Sequence, residues 1–243
     1  KVPAGTNHAV DDVSFSIEKG ETLGVVGESG CGKSTLGRTI IRLQEATEGQ
    51  ILLNGQDITH VRKGELRRVR EQMQIVFQDP YSSLNPRMRI ESTIMEPLEH
   101  SGRFHSKEEL RDEANRLMDL VGVDERLRRS YPHELDGGRR QRVGIARALA
   151  LNPEFIVCDE PVSALDVSIQ AQVLNLLMDL QEKSKVAYMF VTHDLSVVRH
   201  ISDNICVMYL GQLVEKAPSR ELFAHTLHPY TKALLSAIPS TDI

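Results

Sequence analysis

The feature that most constrains this chain is a glycine-rich loop set between an apolar strand pattern and a helical pattern. Residues 27–35 read Gly-Glu-Ser-Gly-Cys-Gly-Lys-Ser-Thr, which fits the spacing G-x-x-x-x-G-K-[ST]. An apolar run at residues 23–26 comes directly before the loop, and apolar residues recur at helical spacing from Leu36 onward. A strand that runs straight into such a loop and then into a helix predicts an α/β fold with a phosphate-binding loop.

The residue types in this loop suit phosphate binding. Glycines let backbone N–H groups approach an anion, and the positive end of the helix that begins near Lys33 adds to the attraction. Lys33 is expected to reach the β- and γ-phosphates of a nucleotide, and the Ser34 hydroxyl to bind Mg²⁺. We predict that ATP contacts the whole loop, which consists of Gly27, Glu28, Ser29, Gly30, Cys31, Gly32, Lys33, Ser34 and Thr35. The alternative is a glycine turn that leads into a helix without a ligand.

A pair of acidic residues follows a second buried strand pattern. Residues 155–158 are Phe-Ile-Val-Cys, and Asp159 and Glu160 come next. Because ligands of open α/β sheets bind at the carboxyl ends of the strands, the pair is expected on a neighbouring strand beside the loop. We predict that Asp159 holds the hydration shell of Mg²⁺ and that Glu160 accepts a proton from an attacking water. The alternative is an acid pair that is merely structural or solvated.

The remaining patterns divide the chain into α/β parts and a helical part. Val13, Phe15 and Ile17 alternate with polar residues, which predicts a half-buried strand, and Asn54-Gly55 is typical of a hairpin turn. Helical signals alone cover residues 79–152, among them a capping box formed by Ser106 and Glu109. Strand patterns that alternate with helical ones return after this segment.

We therefore predict a P-loop NTPase core: a mainly parallel sheet with helices on both faces, an N-terminal antiparallel β part, and an inserted all-helical subdomain. The expected single domain spans residues 1–243. Its nucleotide-binding core comprises residues 1–78 and 153–243, and its helical subdomain comprises residues 79–152.

Composition and charge exclude several classes of protein. The chain has 40% apolar and 26% charged residues, as ordinary soluble globular proteins do. With 29 basic and 34 acidic residues its net charge is −5, which repels phosphate backbones, so we expect no nucleic-acid binding. No apolar run approaches the roughly 20 residues of a membrane span. The isolated cysteines Cys31, Cys158 and Cys206 predict reduced thiols in a cytosolic protein.

The order of motifs resembles the ATPase subunit of ATP-binding cassette (ABC) transporters over nearly the whole chain. Residues 76–80, Val-Phe-Gln-Asp-Pro, are similar to the glutamine loop of that family. Residues 163–166, Ser-Ala-Leu-Asp, match its aspartate loop, and residues 191–194, Val-Thr-His-Asp, match its switch histidine. The resemblance implies ATP hydrolysis by two subunits that close head to tail, each ATP lying between the loop of one and the signature motif of the other.

The resemblance also implies roles for individual residues. Gln78 would sense the γ-phosphate and join Ser34 and Asp159 around Mg²⁺. His193 would hold the γ-phosphate and position water beside Glu160, so Glu160, His193 and Gln78 are the expected catalytic residues. Two residues would lie at the dimer seam, Ser163 and Asp166; plain N-capping of the next helix is an equally good interpretation of the latter.

The signature motif departs from the family pattern. It corresponds to Leu135, Asp136, Gly137, Gly138 and Arg139, where Asp136 replaces the usual serine and Arg139 the usual glutamine. Both serine and aspartate cap helices well. However, a carboxylate about 4 Å from a phosphate charge is repelled by roughly 4 kcal/mol at an effective dielectric of about 20. We expect a pair of unequal sites in a heterodimer with a related ATPase subunit; the alternative is that Arg139 neutralises Asp136 and a homodimer works normally.

Two narrower motifs are similar to the oligopeptide and dipeptide importer group, which also includes nickel and glutathione systems. These are residues 78–86, Gln-Asp-Pro-Tyr-Ser-Ser-Leu-Asn-Pro, and residues 228–231, His-Pro-Tyr-Thr. The resemblance implies a peripheral protein at the cytoplasmic face of the cell membrane, bound to integral permease subunits and served indirectly by an extracytoplasmic peptide-binding protein. The alternatives are a soluble ABC ATPase outside transport, a nickel or glutathione importer subunit, and a regulatory subunit without turnover.

Two features of the family are not found in this sequence. An adenine-stacking aromatic residue normally precedes the first strand, but residues 1–8 contain none. The group usually continues into a cysteine-containing C-terminal tail. We therefore expect the stacking residue to be absent or to lie outside this sequence, and the chain to be truncated or a shorter member.

Overall fold

The computed structural model describes residues 8–237, which form one large sheet, a small hairpin and a set of covering helices. Strand β1 comprises Thr22–Val26, and the hairpin pairs β2, Leu52–Leu53, with β3, Gln56–Asp57. The other strands are β4 Met73–Val76, β5 Phe155–Asp159, β6 Ala187–Thr192, β7 Asn204–Tyr209 and β8 Gln212–Pro218.

The large sheet has the strand order β4-β5-β6-β1-β7-β8. Neighbouring strands from β4 to β7 run parallel, and β8 pairs antiparallel with β7. Its central strands are buried along their whole length, as expected for strands covered on both faces. The predicted mainly parallel α/β core is thus confirmed, and the carboxyl ends of β4, β5, β6 and β1 meet at one edge.

The helices flank this sheet and fill the segment between β4 and β5. They are α1 Lys33–Ile40, α2 Lys63–Gln72, α3 Pro80–Ser83, α4 Ile90–Ser101, α5 Lys107–Leu120, α6 Gly137–Leu149, α7 Val167–Ser184, α8 Leu195–Ile201, α9 Ser219–Ala224 and α10 Pro229–Ser236. Short 3-10 turns lie at Glu125–Arg129 and Pro132–Glu134. The division into a core and a helical subdomain of residues 79–152 stays our proposal. Within the described residues that segment contains helices and turns but no strand.

The helical segment shares its apolar core with the sheet. One continuous cluster of buried side chains joins Leu98 of α4 and Leu117 of α5 to Val143 of α6, and continues through Phe190 of β6 to Leu177 of α7. Burial of one such side chain contributes about 1.5–3 kcal/mol to stability. Because α6 packs between the other helices and the sheet, the motif at its N-terminus is held on a well-anchored element.

The predicted turn signals are realised with informative details. Asn54 and Gly55 have φ angles of 50° and 78°, as a type I′ hairpin turn requires. The Ser106 hydroxyl caps α5 by accepting the Glu109 N–H at 3.1 Å. The Glu109 carboxylate, however, accepts the N–H of His105 rather than that of the cap residue, so the reciprocal bond of the capping box is displaced by one residue.

The predicted strand at Val13, Phe15 and Ile17 is not formed. These side chains are half-buried against an apolar cluster, as their alternation implied, but the segment pairs with no strand of the described chain. Alternation reports which face is buried, whereas strand identity also requires a hydrogen-bonded neighbour.

No helix within residues 8–237 is both long and apolar enough to span a membrane. The prediction of an adenine-stacking aromatic concerns residues 1–8, of which 1–7 lie outside the described residues.

Candidate nucleotide-binding site

The loop between β1 and α1 requires glycine at particular positions. Gly27 and Gly32 have φ angles of 152° and 104°. A Cβ at Gly27 would lie 2.2 Å from the carbonyl oxygen of Met208, and one at Gly32 would lie 2.1 Å from that of Ala9. Gly30, at φ 82°, instead faces open space, with nothing within 4 Å of an added Cβ. The two outer glycines therefore let the loop pack on β7 and the N-terminal segment, while the middle of the loop stays open to a ligand.

Lys33 lies buried beneath the loop. Its side chain is folded back, and Nζ donates hydrogen bonds to the carbonyl oxygens of Gly27 at 2.7 Å and Glu28 at 2.9 Å. A buried ammonium group needs such partners because its desolvation is costly. The same geometry leaves an ammonium group beside the open loop, where a phosphate would compete for it.

Ser34 and Asp159 meet across the sheet edge. The Ser34 hydroxyl donates to Asp159 Oδ1 at 2.7 Å, and the buried Asp159 carboxylate lies 3.6 Å from Nη2 of Arg38 through its other oxygen. A hydroxyl and a carboxylate are hard oxygen ligands of the kind that Mg²⁺ takes, and Mg²⁺ typically uses only one or two carboxylates beside phosphates and waters. The residues present thus fit Mg²⁺, although residues 8–237 contain no cluster of three or more His, Cys, Asp or Glu that would hold a metal unaided.

The three expected catalytic residues converge on one carboxylate. Glu160 Oε2 accepts a hydrogen bond from Gln78 Nε2 at 3.0 Å, and Glu160 Oε1 lies 3.3 Å from His193 Nδ1. Gln78 therefore contacts the proposed base rather than the Ser34–Asp159 pair, so only two of the three expected Mg²⁺ ligands lie together here.

Glu160 itself occupies an unusual backbone conformation. Its φ of 47° is uncommon for a residue with a side chain. Its N–H donates to the carbonyl of Val191 on β6 at 2.9 Å, and its own carbonyl accepts the Ser163 hydroxyl at 3.1 Å. These bonds stabilise the sharp turn that aims the carboxylate along the sheet edge. Strained residues of this kind cluster at functional sites.

The sheet order explains why residues so distant in sequence meet. Gln78, Glu160 and His193 each follow the carboxyl end of a strand, and those strands, β4, β5 and β6, are neighbours. One detail of our prediction was wrong: β5 is not the neighbour of β1, because β6 lies between them. Ser34 reaches Asp159 because it sits on the first turn of α1, which packs against both β6 and β5.

The signature residues form the N-terminus of α6. Asp136 occupies the N-cap position, where Oδ1 accepts the Arg139 N–H at 2.8 Å and Oδ2 lies 3.1 Å from Arg139 Nη1. Both side chains are 58% exposed. A Cβ at Gly138 would approach Ile169 on α7 to 2.5 Å, so packing requires glycine there. Among the described residues no hydrogen bond joins the signature motif to the phosphate-binding loop of the same chain.

Asp166 precedes α7 but does not act as its cap. It occupies the N-cap position, yet its carboxylate accepts no hydrogen bond from the helix and is exposed to solvent. The capping interpretation of Asp166 is therefore wrong in this structure, and its carboxylate is free to contact a second subunit. The dimer-seam role of Asp166 and Ser163 remains a prediction.

Sequence reasoning missed two side chains at this site. Arg38 contacts Asp159 from one turn along α1, and the Tyr230 hydroxyl accepts the Glu28 N–H at 3.0 Å. The only sequence signal for the latter was the His-Pro-Tyr-Thr motif, whose pattern does not reveal what the tyrosine contacts.

The cysteines agree with the prediction of reduced thiols. Cys31, Cys158 and Cys206 are free and buried. Burial raises the pKa of Cys206 to about 12 and raises that of Cys158 further still. Both of these thiols are therefore protonated and inert at neutral pH.

Comparison with known proteins identifies the family. Residues 10–163 match the model of the ABC transporter family, and residues 214–243 match that of the oligopeptide/dipeptide transporter C-terminal region. The chain is 57% identical to the oligopeptide transport ATP-binding protein OppF of Bacillus subtilis, covering 99% of this chain and 79% of that protein. It is 52% identical to OppF of Salmonella typhimurium, covering 99% of this chain and 72% of the relative.

Solved structures give the same result. The ATP-binding cassette MJ0796, in a dimeric post-hydrolysis state bound to ADP and Pi, superposes with a TM-score of 0.81 at 31% identity, covering 90% of this chain and 94% of that one. CbiO1 from Clostridium perfringens, part of the transporter complex cbiONQ, also gives a TM-score of 0.81, at 28% identity and 93% and 87% coverage. Together with the loop and the acidic edge of the sheet, these matches show that the chain belongs to the ABC transporter family and is one of its ATPases.

Proposed function

We propose that this chain is the ATP-hydrolysing subunit of a binding-protein-dependent importer of oligopeptides or dipeptides. The observation that carries the proposal is that one chain matches two family models. Residues 10–163 match the ABC transporter family, and residues 214–243 match the C-terminal region of oligopeptide/dipeptide transporters. Relatives named as oligopeptide and dipeptide transport ATP-binding proteins support the same cargo class.

The site residues divide the work of hydrolysis. The loop N–H groups and Lys33 bind the phosphates, with Lys33 exchanging the carbonyls of Gly27 and Glu28 for phosphate oxygens. Ser34 and Asp159 would hold Mg²⁺, which would neutralise negative charge on the phosphates. Glu160 accepts the proton of the attacking water.

Gln78 and His193 regulate that base. In this structure both contact Glu160, and each occupies one of its two oxygens. A γ-phosphate would draw the two side chains toward itself and leave Glu160 free to accept a proton. Hydrolysis therefore begins only when the nucleotide has replaced these contacts, which suppresses futile activation of water in the empty site.

A second ATPase subunit completes each site. Within the described residues no hydrogen bond joins the signature motif to the loop of its own chain, so we expect the motif to meet an ATP bound by the partner. The Asp136 carboxylate would slow hydrolysis at the site that it helps to form, whereas the other site of the dimer would hydrolyse ATP faster. Such unequal sites favour a partner that is a related but different ATPase subunit. Its contact with Arg139 is the feature on which the homodimer alternative depends.

The assembly would be peripheral to the membrane. We propose that the chain binds integral permease subunits at the cytoplasmic face, with residues 79–152 as the helical signature subdomain. An extracytoplasmic peptide-binding protein would act on it only through those subunits.

Hydrolysis in the reconstituted complex tests the proposal. Steady-state Mg-ATP hydrolysis is measured with permease subunits in vesicles. It is measured without binding protein and with binding protein that is loaded with a peptide, Ni²⁺ or glutathione. The Glu160→Gln variant is the blank. Stimulation by peptide is the expected result. Stimulation by Ni²⁺ or glutathione alone, or full activity with no permease dependence, would contradict peptide import.

A further inference from the structure

The C-terminal part of the chain reaches the phosphate-binding loop through one side chain. The Tyr230 hydroxyl accepts the backbone N–H of Glu28 at 3.0 Å, although the two residues are 202 positions apart. Glu28 lies in the segment that matches the ABC transporter family, and Tyr230 lies in the segment that matches the oligopeptide/dipeptide C-terminal region. The hydrogen bond therefore joins the two regions that the family models recognise separately.

A short series of hydrogen bonds fixes the position of Tyr230. The Glu215 carboxylate on β8 accepts the N–H groups of Leu227 at 2.9 Å and His228 at 3.1 Å. His228 then caps α10, since its Nδ1 accepts the Tyr230 N–H at 3.2 Å. The His-Pro-Tyr motif thus has a local structural purpose, which is to start α10 at a defined point and direct the tyrosine ring to the loop.

The ring is also held by packing. Tyr230 and Tyr209 form an aromatic pair with ring centroids 4.4 Å apart. Burial raises the pKa of Tyr230 above its ordinary value, so the phenol is neutral at physiological pH. A neutral hydroxyl accepts the Glu28 N–H without placing a negative charge beside the phosphate-binding loop.

The backbone of Glu28 is held on both sides of its Cα. Lys33 Nζ bonds its carbonyl oxygen at 2.9 Å, and Tyr230 bonds its N–H. When Lys33 turns to the phosphates of a nucleotide, its bond to this carbonyl is lost. The Tyr230 bond requires no such change, so it keeps the turn in place after Lys33 has moved.

We propose that Tyr230 is a positioning residue for the phosphate-binding loop: its hydroxyl holds the backbone N–H of Glu28 while Lys33 exchanges the carbonyls of Gly27 and Glu28 for the nucleotide. The proposal rests on ATP binding by this loop. Tyr230 acts through the backbone of the loop, so it changes affinity for ATP rather than the hydrolytic step. Loss of one neutral hydrogen bond corresponds to roughly a two- to tenfold change in an equilibrium constant.

Two tyrosine variants provide a matched test in the full chain. Tyr230→Phe removes the hydroxyl that bonds Glu28 and keeps the ring against Tyr209, whereas Tyr209→Phe removes a hydroxyl from the same pair without changing that bond. Calorimetric titration with Mg-ATP should give a Kd about two- to tenfold higher for Tyr230→Phe and an unchanged Kd for Tyr209→Phe. In the reconstituted complex, KM for ATP should rise by the same factor while kcat stays constant.

Hydrogen–deuterium exchange gives a second, independent measurement. The backbone N–H of Glu28 should exchange faster in Tyr230→Phe than in wild type with Mg-ATP bound, because its acceptor is gone. Equal Kd and equal exchange would overturn the proposal, and so would an equal loss in Tyr209→Phe, which would assign the effect to ring packing. If wild type itself bound no Mg-ATP, the proposed ATPase function would be wrong. If wild type bound Mg-ATP normally and Tyr230→Phe changed neither Kd nor exchange, only the positioning role of Tyr230 would be wrong.

Discussion

The two halves of the ATP site that we propose differ in how far this chain itself completes them. In the phosphate-binding half, Lys33 and Asp159 are buried and each has its hydrogen-bond partner. In the signature half, Asp136 and Arg139 pair with each other on an exposed helix end. Exposed ion pairs contribute only about 0–1 kcal/mol and are screened by salt.

This difference separates a half whose charged groups are buried and hydrogen-bonded within the chain from a half whose charged groups are exposed and accessible to a partner. Unless a ligand offers a new partner, a buried charge keeps one arrangement because any other leaves it unpaired. An exposed pair exchanges partners at little cost, so the effect of Asp136 depends on what docks against it. The departure from the family pattern thus falls in the half where a charge change least disturbs the fold and, in the dimer that we propose, most affects the neighbouring subunit.

The largest expected effect is at the base of the phosphate-binding half. Glu160→Gln should lower Mg-ATP hydrolysis in the complex by roughly 10²- to 10⁴-fold, because proton transfer to a positioned carboxylate supplies about that factor. ATP binding should persist, since Glu160 contacts Gln78 and His193 rather than the loop. Glu182→Gln, an exposed acid on α7, is the control, and a loss below tenfold in Glu160→Gln would exclude Glu160 as the base.

Loss of the buried carboxylate should have the next largest effect. Asp159→Asn should raise the Mg²⁺ concentration needed for half-maximal hydrolysis by about 10- to 100-fold, the range seen when groups around a bound metal are removed. It also removes the charge that faces Arg38. A Mg²⁺ titration at fixed ATP measures the effect, with the exposed Asp179→Asn as control. An unchanged Mg²⁺ requirement would mean that Asp159 is structural.

The signature half should respond less and in the opposite direction. Asp136→Ser should raise hydrolysis in the assembled complex by up to about tenfold, because it removes a carboxylate facing the partner's phosphate, while Arg139 already offsets part of that charge. Asp136→Ala removes the N-cap as well as the charge, whereas Asp136→Ser removes only the charge. The difference between the two variants therefore measures the cap, whose loss lowers stability by about 0.5–2 kcal/mol. Unchanged hydrolysis in Asp136→Ser would support the homodimer alternative and end the unequal-site hypothesis.

The smallest effect concerns pH and the anchor of α10. Burial alone would raise the pKa of Glu215, but the hydrogen bonds it accepts, from Leu227 and His228 among others, outweigh this and lower the pKa below its ordinary value of 4.5. A lowered pKa in the folded state means that Glu215 contributes stability above pH 4.5 and loses that contribution as the pH falls further. Urea unfolding should therefore find Glu215→Gln less stable than wild type at pH 7, with the gap narrowing below pH 4.5. A constant gap would show that the carboxylate charge is irrelevant.

Much of the fold followed from local patterns. The strand before the loop, the helix after it, the hairpin at Asn54 and the cap at Ser106 each depend on a few adjacent residues, so the sequence predicted them. The segment at Val13 shows the limit of this reasoning, because alternation gave its burial correctly but not its lack of a pairing strand. The order of strands was equally invisible: nothing local indicates that β6 separates β1 from β5.

The sequence by itself determined which chemical groups this protein has: a loop that binds phosphates, two acids at a strand end and a histidine at another, in a spacing that indicates an ABC ATPase. Tertiary structure alone decided which of them touch. It brought Gln78 to Glu160 rather than to Asp159, and it brought Tyr230 to Glu28 across 202 residues. Local spacing sets backbone conformation through neighbouring residues, whereas contacts between distant residues depend on how strands pair and helices pack over the whole core.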